Sequence, residues 1–504
     1  MRNLLSLSCA AALTFRPPAV PLAVTSPFFS LWSFSAEKLA SEVMFWNSIP
    51  STLDSLLRVD NVTYVLMGAA SYPAATQLGY PNVSALTTSY AFTAGGVAAA
   101  LSFTSPQLPG NWDALSRQAT YVEWEVTSAD GGAHTVEVLF DSSAEIVTGG
   151  FAGEEVEWDR PVPGALRLGL AGQTAPGFNL TAHLLASREP HQKQDFGFVY
   201  VMDGAAAAAP APTSVIAAQA DAHGAFARTG ALPGAGGDAK PPAPIAPANN
   251  VVGAMAWALP VRAGAPPARA RAILLCDEVV GILNWDVPLP GVWRKAYPAG
   301  DTSVVPAAAL AAAVQQGDDL LAAAAAFNAG EAAALLAAGG AEYAAVVQLT
   351  YRQVLGANAV VWNGSAPWVY QKEISSDGDL STLDVIFPAA PQLLYHDRAS
   401  ILRAAIEPHL FLMSGLDPHT RFTQSCALHS LGKWPVVDAG NGGCGMPMES
   451  TGDILLMAAG VTMAQGGDGA WAAAYMPLLR RLAGFCAASL PYPAPQDMTD
   501  DFSQ

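Results

Sequence analysis

From about residue 55 to residue 290 apolar and polar positions alternate with a period of two, the pattern of strands that bury one face. Tyr121 to Thr127 alternates, Asp130-Gly131-Gly132 offers a turn, and Thr135 to Phe140 alternates again, which predicts a β-hairpin. Further predicted strands are Ala165 to Leu170, Asn179 to Ala186, Phe196 to Met202, Val251 to Val261 and Ala270 to Cys276. Short strands between Pro and Gly turns predict a β-sandwich. Residues 204–250, rich in Ala, Pro and Gly, read as a long loop inserted into it. After about residue 300 the period becomes helical, in segments 303–337, 341–361, 383–413, 451–464 and 471–489. Ser381 or Thr382 is placed to cap the helix starting near Leu383, and Thr451 the next. The predicted fold class is therefore multidomain β + α: an N-terminal β-sandwich over 16–295, then a helical domain over 296–504. Helices of this length joined by substantial loops suit an (α/α)6 toroid better than a small bundle.

Charge and composition narrow the partners. The 504 residues carry 24 Lys and Arg against 42 Asp and Glu, a formal charge of −18. That balance argues against a nucleic acid, whose phosphates need clustered cations, and against docking on anionic membrane surfaces. With 51% hydrophobic and 13% charged residues, wholesale disorder is excluded. Much of the apolar fraction is alanine, in runs such as Ala205–Ala209 and Ala322–Ala326, and no interior run gives about 20 strongly apolar residues in a row. Arg2, the apolar stretch Leu4 to Phe15, and Ala10 and Ala12 in an A-x-A arrangement make residues 1–15 read as a signal peptide. Sequons at Asn61, Asn82, Asn179 and Asn363 agree with a secreted glycoprotein. Beyond the leader, Cys276, Cys426, Cys444 and Cys486 remain; Cys426 and Cys444 flank one glycine-rich loop and can pair, though connectivity is not readable from sequence.

Generic catalytic signatures are absent: no HExxH, no GxxxxGK[ST], no GxSxG. Gly440, Gly442 and Gly445 satisfy GxGxxG but lie between helices without a preceding strand, so they do not predict a dinucleotide site. The eight histidines show no ligand spacing, and no metal or cofactor is called for. Candidate chemistry lies in loops of the helical half. Glu373 and Asp377, four apart among hydroxyls (Glu373-Ile374-Ser375-Ser376-Asp377-Gly378), offer two carboxylates to activate water or protonate a leaving group, or simply a capped turn. His429-Ser430-Leu431-Gly432 supplies an imidazole. Met446 to Asp453 places Glu449 near a helix N-terminus, where it either acts or caps. Thr499-Asp500-Asp501-Phe502 adds a carboxylate pair.

Taken in order, these segments resemble the fungal-type secreted glutaminase A family. The resemblance runs through Pro17 to Val24 with Ser26-Pro27-Phe28, Leu57-Arg58-Val59-Asp60, Thr63-Tyr64 and Met67-Gly68. It continues with Ala344 to Gln353, Lys372 to Gly378, Asp384 to Pro388, His429 to Gly432, Pro447 to Ser450, and Pro491-Tyr492-Pro493 with Thr499 to Phe502. It covers most of the chain outside 204–250. The resemblance implies a β-sandwich packed on a six-hairpin glycosidase-like (α/α)6 toroid. It also implies hydrolysis of L-glutamine to L-glutamate and ammonia outside the cytoplasm. Three departures stand out: the alanine-rich 204–250, HSLG where the family usually has an acidic second residue, and an end at Gln504 where the family continues with further helices. The expectation is thus a toroid lacking its last hairpins.

Amide hydrolysis needs an activated water, a proton for the leaving ammonia and donors for the oxyanion. On this reading Glu373 and Glu449 form the acid/base pair, and Asp377 and His429 orient water or substrate. Asp384, Asp500 and Asp501 bind the substrate ammonium, and Trp368, Tyr370 and Trp434 line the pocket. The partner is then a small molecule, with no cofactor, metal, nucleic acid or membrane, and the oligomeric state is left open. Two rivals remain: a glycoside hydrolase of the six-hairpin type, using the same paired carboxylates with aromatics for sugar stacking, and a binding protein or inactive homologue that uses only its sandwich.

Overall fold

The computed structural model describes residues 16–149, 152–186, 193–204, 211–246, 249–439, 443–492 and 494. The expected leader 1–15 lies outside them. Two large antiparallel sheets, with a three-stranded one made by Val20–Val24, Ser30–Ser33 and Val43–Phe45, build the N-terminal half. The larger has ten strands; its central members are Phe198–Asp203, Ala268–Asp277, Ala119–Ser128, Val97–Thr104 and Thr87–Ala94. The smaller runs Thr213–Ala218, Val251–Ala258, Val136–Ser143, Leu53–Val59, Val62–Met67. Their inner faces enclose an apolar core containing Phe103, Trp124, Phe140 and Trp257, the two indoles 5.7 Å apart. This is the β-sandwich that the period-two pattern predicts.

Pairing departs from the prediction in three places. Ala119–Ser128 and Val136–Ser143 do not form a hairpin: the first pairs with Ala268–Asp277 and Val97–Thr104, the second with Val251–Ala258 and Leu53–Val59. The link between them crosses from one sheet to the other, and His134 fixes the crossing through Asp60 (2.7 Å) and Asp130 (3.0 Å). Residues 180–186 are helical rather than extended, because Leu180 and Leu184, one turn apart, are buried together and Asn179 accepts the Ala182 N–H. The described residues of segment 204–250 are more than a loop. They supply the edge strand Thr213–Ala218 and an eleven-residue helix, Gln219–Thr229, whose Ala222 and Phe226 cover the outer face of the smaller sheet.

The helices, in chain order, are α1 (Trp112–Ser116), α2 (Leu180–Ala186), α3 (Gln219–Thr229), α4 (Ala307–Gln315), α5 (Gly317–Gly356), α6 (Leu383–Tyr395), α7 (Ser400–Met413), α8 (Pro447–Ala464) and α9 (Met476–Ser489). The helical half follows the sandwich as expected, with altered boundaries. The segment 341–361 ends in a strand, Asn358–Trp362, which pairs with Pro367–Gln371. Segment 383–413 is two helices, broken where Asp397, Arg398 and Ala399 all take positive φ. Thr451 lies inside α8, which starts at Pro447; proline suits a first turn, where its missing N–H costs nothing. Contrary to the reading of the interior runs, α5 is long and apolar enough to cross a membrane, by length and composition alone. Gly340 interrupts it at φ +80°. Its polar side chains grip the sandwich: Asn328 accepts the Leu86 N–H (2.9 Å) and buried Arg352 donates to Thr88 Oγ1 (2.7 Å).

One apolar cluster runs from Phe28, Tyr121 and Tyr200 of the sandwich to Leu383, Leu402 and Ile454 of the helices, so the two halves share a core. Arg271 reaches Asp318 at 2.8 Å across the junction, and Tyr121 donates to the Ala313 carbonyl at 2.6 Å. Arg294 and Asp277, both almost fully buried, pair at 2.9 Å beside it. A small sheet pairs Ile282–Asn284, in the connection between the halves, with Val436–Val437. That pairing anchors the loop bearing His429.

Candidate active site

The N-termini of α6 and α8 lie side by side and gather the chemistry. α6 opens at Thr382, whose hydroxyl does not cap its own helix but donates to Glu373 Oε2 at 2.9 Å; Ser376 donates to Oε1. Two hydroxyls thus aim the Glu373 carboxylate. Asp384 follows in the first turn of α6, with Oδ1 buried and unpartnered. From α8, Glu449 sits in the first turn and Asp453 one turn further on, so both project from one face. His429 is held by Ser450 Oγ (3.3 Å to Nδ1), and Ser450 in turn donates to the Gly445 carbonyl. Burial grades from half-buried Glu373, Asp384, His429 and Glu449 to Ser450 and Asp453, which are buried.

The charges feel one another. Burial, then Glu449 and Asp384, push Asp453 up to about 7. Burial raises Asp384 as well; His429 opposes the rise and Glu373 adds to it. Under the cluster His409 is fully buried, and burial lowers it to about 4, so it is a neutral imidazole at ordinary pH. Its Nε2–H donates to the Ser381 carbonyl at 2.6 Å. That bond holds Ser381 at φ +56°, a conformation few side-chain-bearing residues adopt, immediately before α6. Directly before Glu373, buried Lys372 is brought down to about 8 by burial and lies 5.0 Å over the ring of Trp46, which the N-terminal half contributes. The N-terminal half therefore packs against the segment that carries Glu373.

Cys426 and Cys444 are joined in a disulfide. It closes the loop carrying His429 next to the start of α8, where the Ala427 N–H also bonds Thr451 Oγ1 (2.8 Å). Of the expected site residues, the structure brings together Glu373, Asp384, His429 and Glu449. It does not bring in Asp377, which is exposed, accepts the Asp379 N–H to close a turn and pairs with Lys433 Nζ at 3.3 Å. Trp368, Tyr370 and Trp434 are corrected from pocket lining to core: they are 7%, 1% and 2% exposed, and Trp434 packs edge-on against Phe28. Aromatic side chains follow the largest apolar volume available, and here that volume is the junction between the halves. Asp500 and Asp501 lie outside the described residues. Asp453, His409, Lys372 and Trp46 were missed. Asp453 carried a sequence signal in its i+4 spacing from Glu449, and Lys372 stands directly before Glu373 in the motif Lys372 to Gly378.

The structure thus joins a β-sandwich to a helical domain whose carboxylates converge at helix N-termini. Residues 340–504 match the family described as the glutaminase A six helical-hairpin domain. Residues 86–329 and 5–77 match two families described as domains of unknown function, DUF5127 and DUF4964. Glutaminase A of Aspergillus oryzae is 26% identical over 518 aligned residues, covering 98% of this chain and 70% of that protein. A protein of Arthroderma benhamiae whose name gives it as a glutaminase is 37% identical over 122 residues, 23% of this chain and 13% of that protein. Residues 340–504 thus carry a glutaminase A six helical-hairpin domain, and the chain as a whole is similar to glutaminase A.

Proposed function

We propose that the chain is a secreted hydrolase that splits the side-chain amide of L-glutamine into L-glutamate and ammonia. The observation that carries this reading is the convergence of Glu373, Asp384, Glu449 and Asp453 on one site, where Asp453 is held near pH 7. Glu373, aimed by two hydroxyls, takes a proton from water as the water oxygen attacks the amide carbon. The negative charge of the tetrahedral oxyanion suits the positive end of α8. The C–N bond then breaks, and the nitrogen leaves as ammonia with a proton passed by the Glu449–Asp453 pair. A buried carboxyl near 7 suits that task, since it holds its proton at neutral pH and releases it readily. His429 and Asp384 position the substrate. The glycosidase alternative loses its aromatic platform, because Trp368, Tyr370 and Trp434 are in the core.

A secreted setting is supported by the Cys426–Cys444 disulfide and by sequon asparagines Asn61, Asn82 and Asn179 standing exposed. The test is ammonia release from L-glutamine by the purified chain beside Glu449→Gln. The wild type releases ammonia, and the variant does not while melting within about 2 °C of it. An active variant removes Glu449 from the mechanism, and cleavage of oligosaccharides with none of glutamine reassigns the substrate.

A further inference from the structure

A second polar cluster lies in the sandwich, on elements that the site above does not use. Asp54 and Asp141 are directly opposed on the antiparallel strands Leu53–Val59 and Val136–Ser143. Both are buried, at 4% and 0% exposure, on the outer face of the smaller sheet where α3 covers it. Like charges directly opposed across strands repel, and here water cannot screen them. α3 lowers His223 onto the pair, with Nε2 2.6 Å from Asp141 Oδ2, and Gln219 one helical turn earlier meets Asp54 Oδ2 at 2.6 Å. Asp141 Oδ1, wholly buried, has no hydrogen-bond partner. Gly68, at φ +92°, leaves room for Asp54: a Cβ there would fall 2.0 Å from Asp54 Oδ1.

We propose that Asp54, Asp141 and His223 form a binding site for one zinc-like divalent cation that pins α3 to the sandwich. Their donor atoms all lie within 4.8 Å of one another. Bonds of about 2.0 Å at tetrahedral angles separate ligand atoms by about 3.3 Å, so side-chain shifts of about 1 Å close the set on an ion. The charges also balance, with two carboxylates, a neutral imidazole and a divalent cation summing to zero. The imidazole favours zinc or a similar first-row ion over calcium or magnesium, which prefer oxygen alone. Asp141 Oδ1 or the Gln219 amide oxygen completes the fourth position. The sequence shows no ligand spacing because the donors come from two strands and a helix, His223 and Asp141 being 82 residues apart.

The test takes the full chain, strips it with EDTA, dialyses it against zinc sulfate and counts zinc per chain beside Asp141→Asn and His223→Gln. The expected result is one zinc per chain retained by the wild type beyond what either variant retains, and melting about 3 °C higher with zinc than after EDTA. The variants keep every carboxylate of the α6–α8 site, so zinc held there cancels in the comparison. Cobalt(II) in place of zinc adds a reading independent of the Asn variant's folding: visible absorption in the wild type that His223→Gln lacks. A wild type that holds no more zinc than His223→Gln, or melts the same with zinc and with EDTA, overturns the proposal.

Discussion

Asp453→Asn separates stability from activity. Folded, Asp453 titrates near 7 against an ordinary value of 3.8. Below pH 3.8 the carboxyl is protonated in folded and unfolded chains alike and costs nothing. As pH rises from 3.8 to 7 the unfolded chain loses this proton and the folded chain keeps it, so stability falls; above 7 the penalty is constant. At about 1.4 kcal/mol per pH unit the full shift corresponds to about 4 kcal/mol. Halving it for screening at the half-open site leaves about 2 kcal/mol. Asparagine has the same shape and no charge, so it removes that cost. The variant is therefore expected to be more stable than wild type by about 2 kcal/mol at pH 7.5 and equal to it at pH 3.5. Ammonia release should fall by at least about 100-fold, because an amide cannot relay the proton. Urea denaturation at several pH values, followed by helical circular dichroism, measures the first effect, and glutamine turnover the second. A variant no more stable at pH 7.5 than wild type, or a gain that does not grow with pH, refutes the argument that burial holds this proton.

Other consequences follow from the same geometry. Replacing Cys426 and Cys444 with serine opens a loop of sequence separation 18 and should cost up to about 3 kcal/mol, with activity falling because His429 loses its anchor; full activity at 25 °C would show that the loop holds itself. Arg294→Met strands Asp277 without its buried cation and should destabilise the chain by about 3–5 kcal/mol in thermal or urea unfolding, against less than about 1 kcal/mol for loss of the exposed Arg16–Glu37 pair. The pH–rate profile of glutamine hydrolysis should turn down above about 7 as Asp453 loses its proton, and a rate flat to pH 9 would remove it from the proton path.

Periodicity alone separated an N-terminal β half from a C-terminal helical half, because the facing of side chains repeats locally, every second residue in a strand and every third or fourth in a helix. Ala165–Leu170 is found as read. The ordered motifs also named Glu373, Asp384, His429 and Glu449, of which Asp384 and Glu449 stand in the first turns of α6 and α8. What the sequence leaves open is pairing between distant segments. The alternation in Tyr121–Thr127 is the same whether its partner is Val136–Ser143 or Ala268–Asp277, and only the closing of two sheets over one core chose the latter. Trp368, Tyr370 and Trp434 carry no local mark of core or cleft; the shared core between the halves claimed them. The proton on Asp453 is tertiary as well, being set by burial and by two carboxylates, one of them from another helix. Local chemistry repeats along the chain and can be read there, whereas burial and charge proximity arise only when remote segments exclude water together.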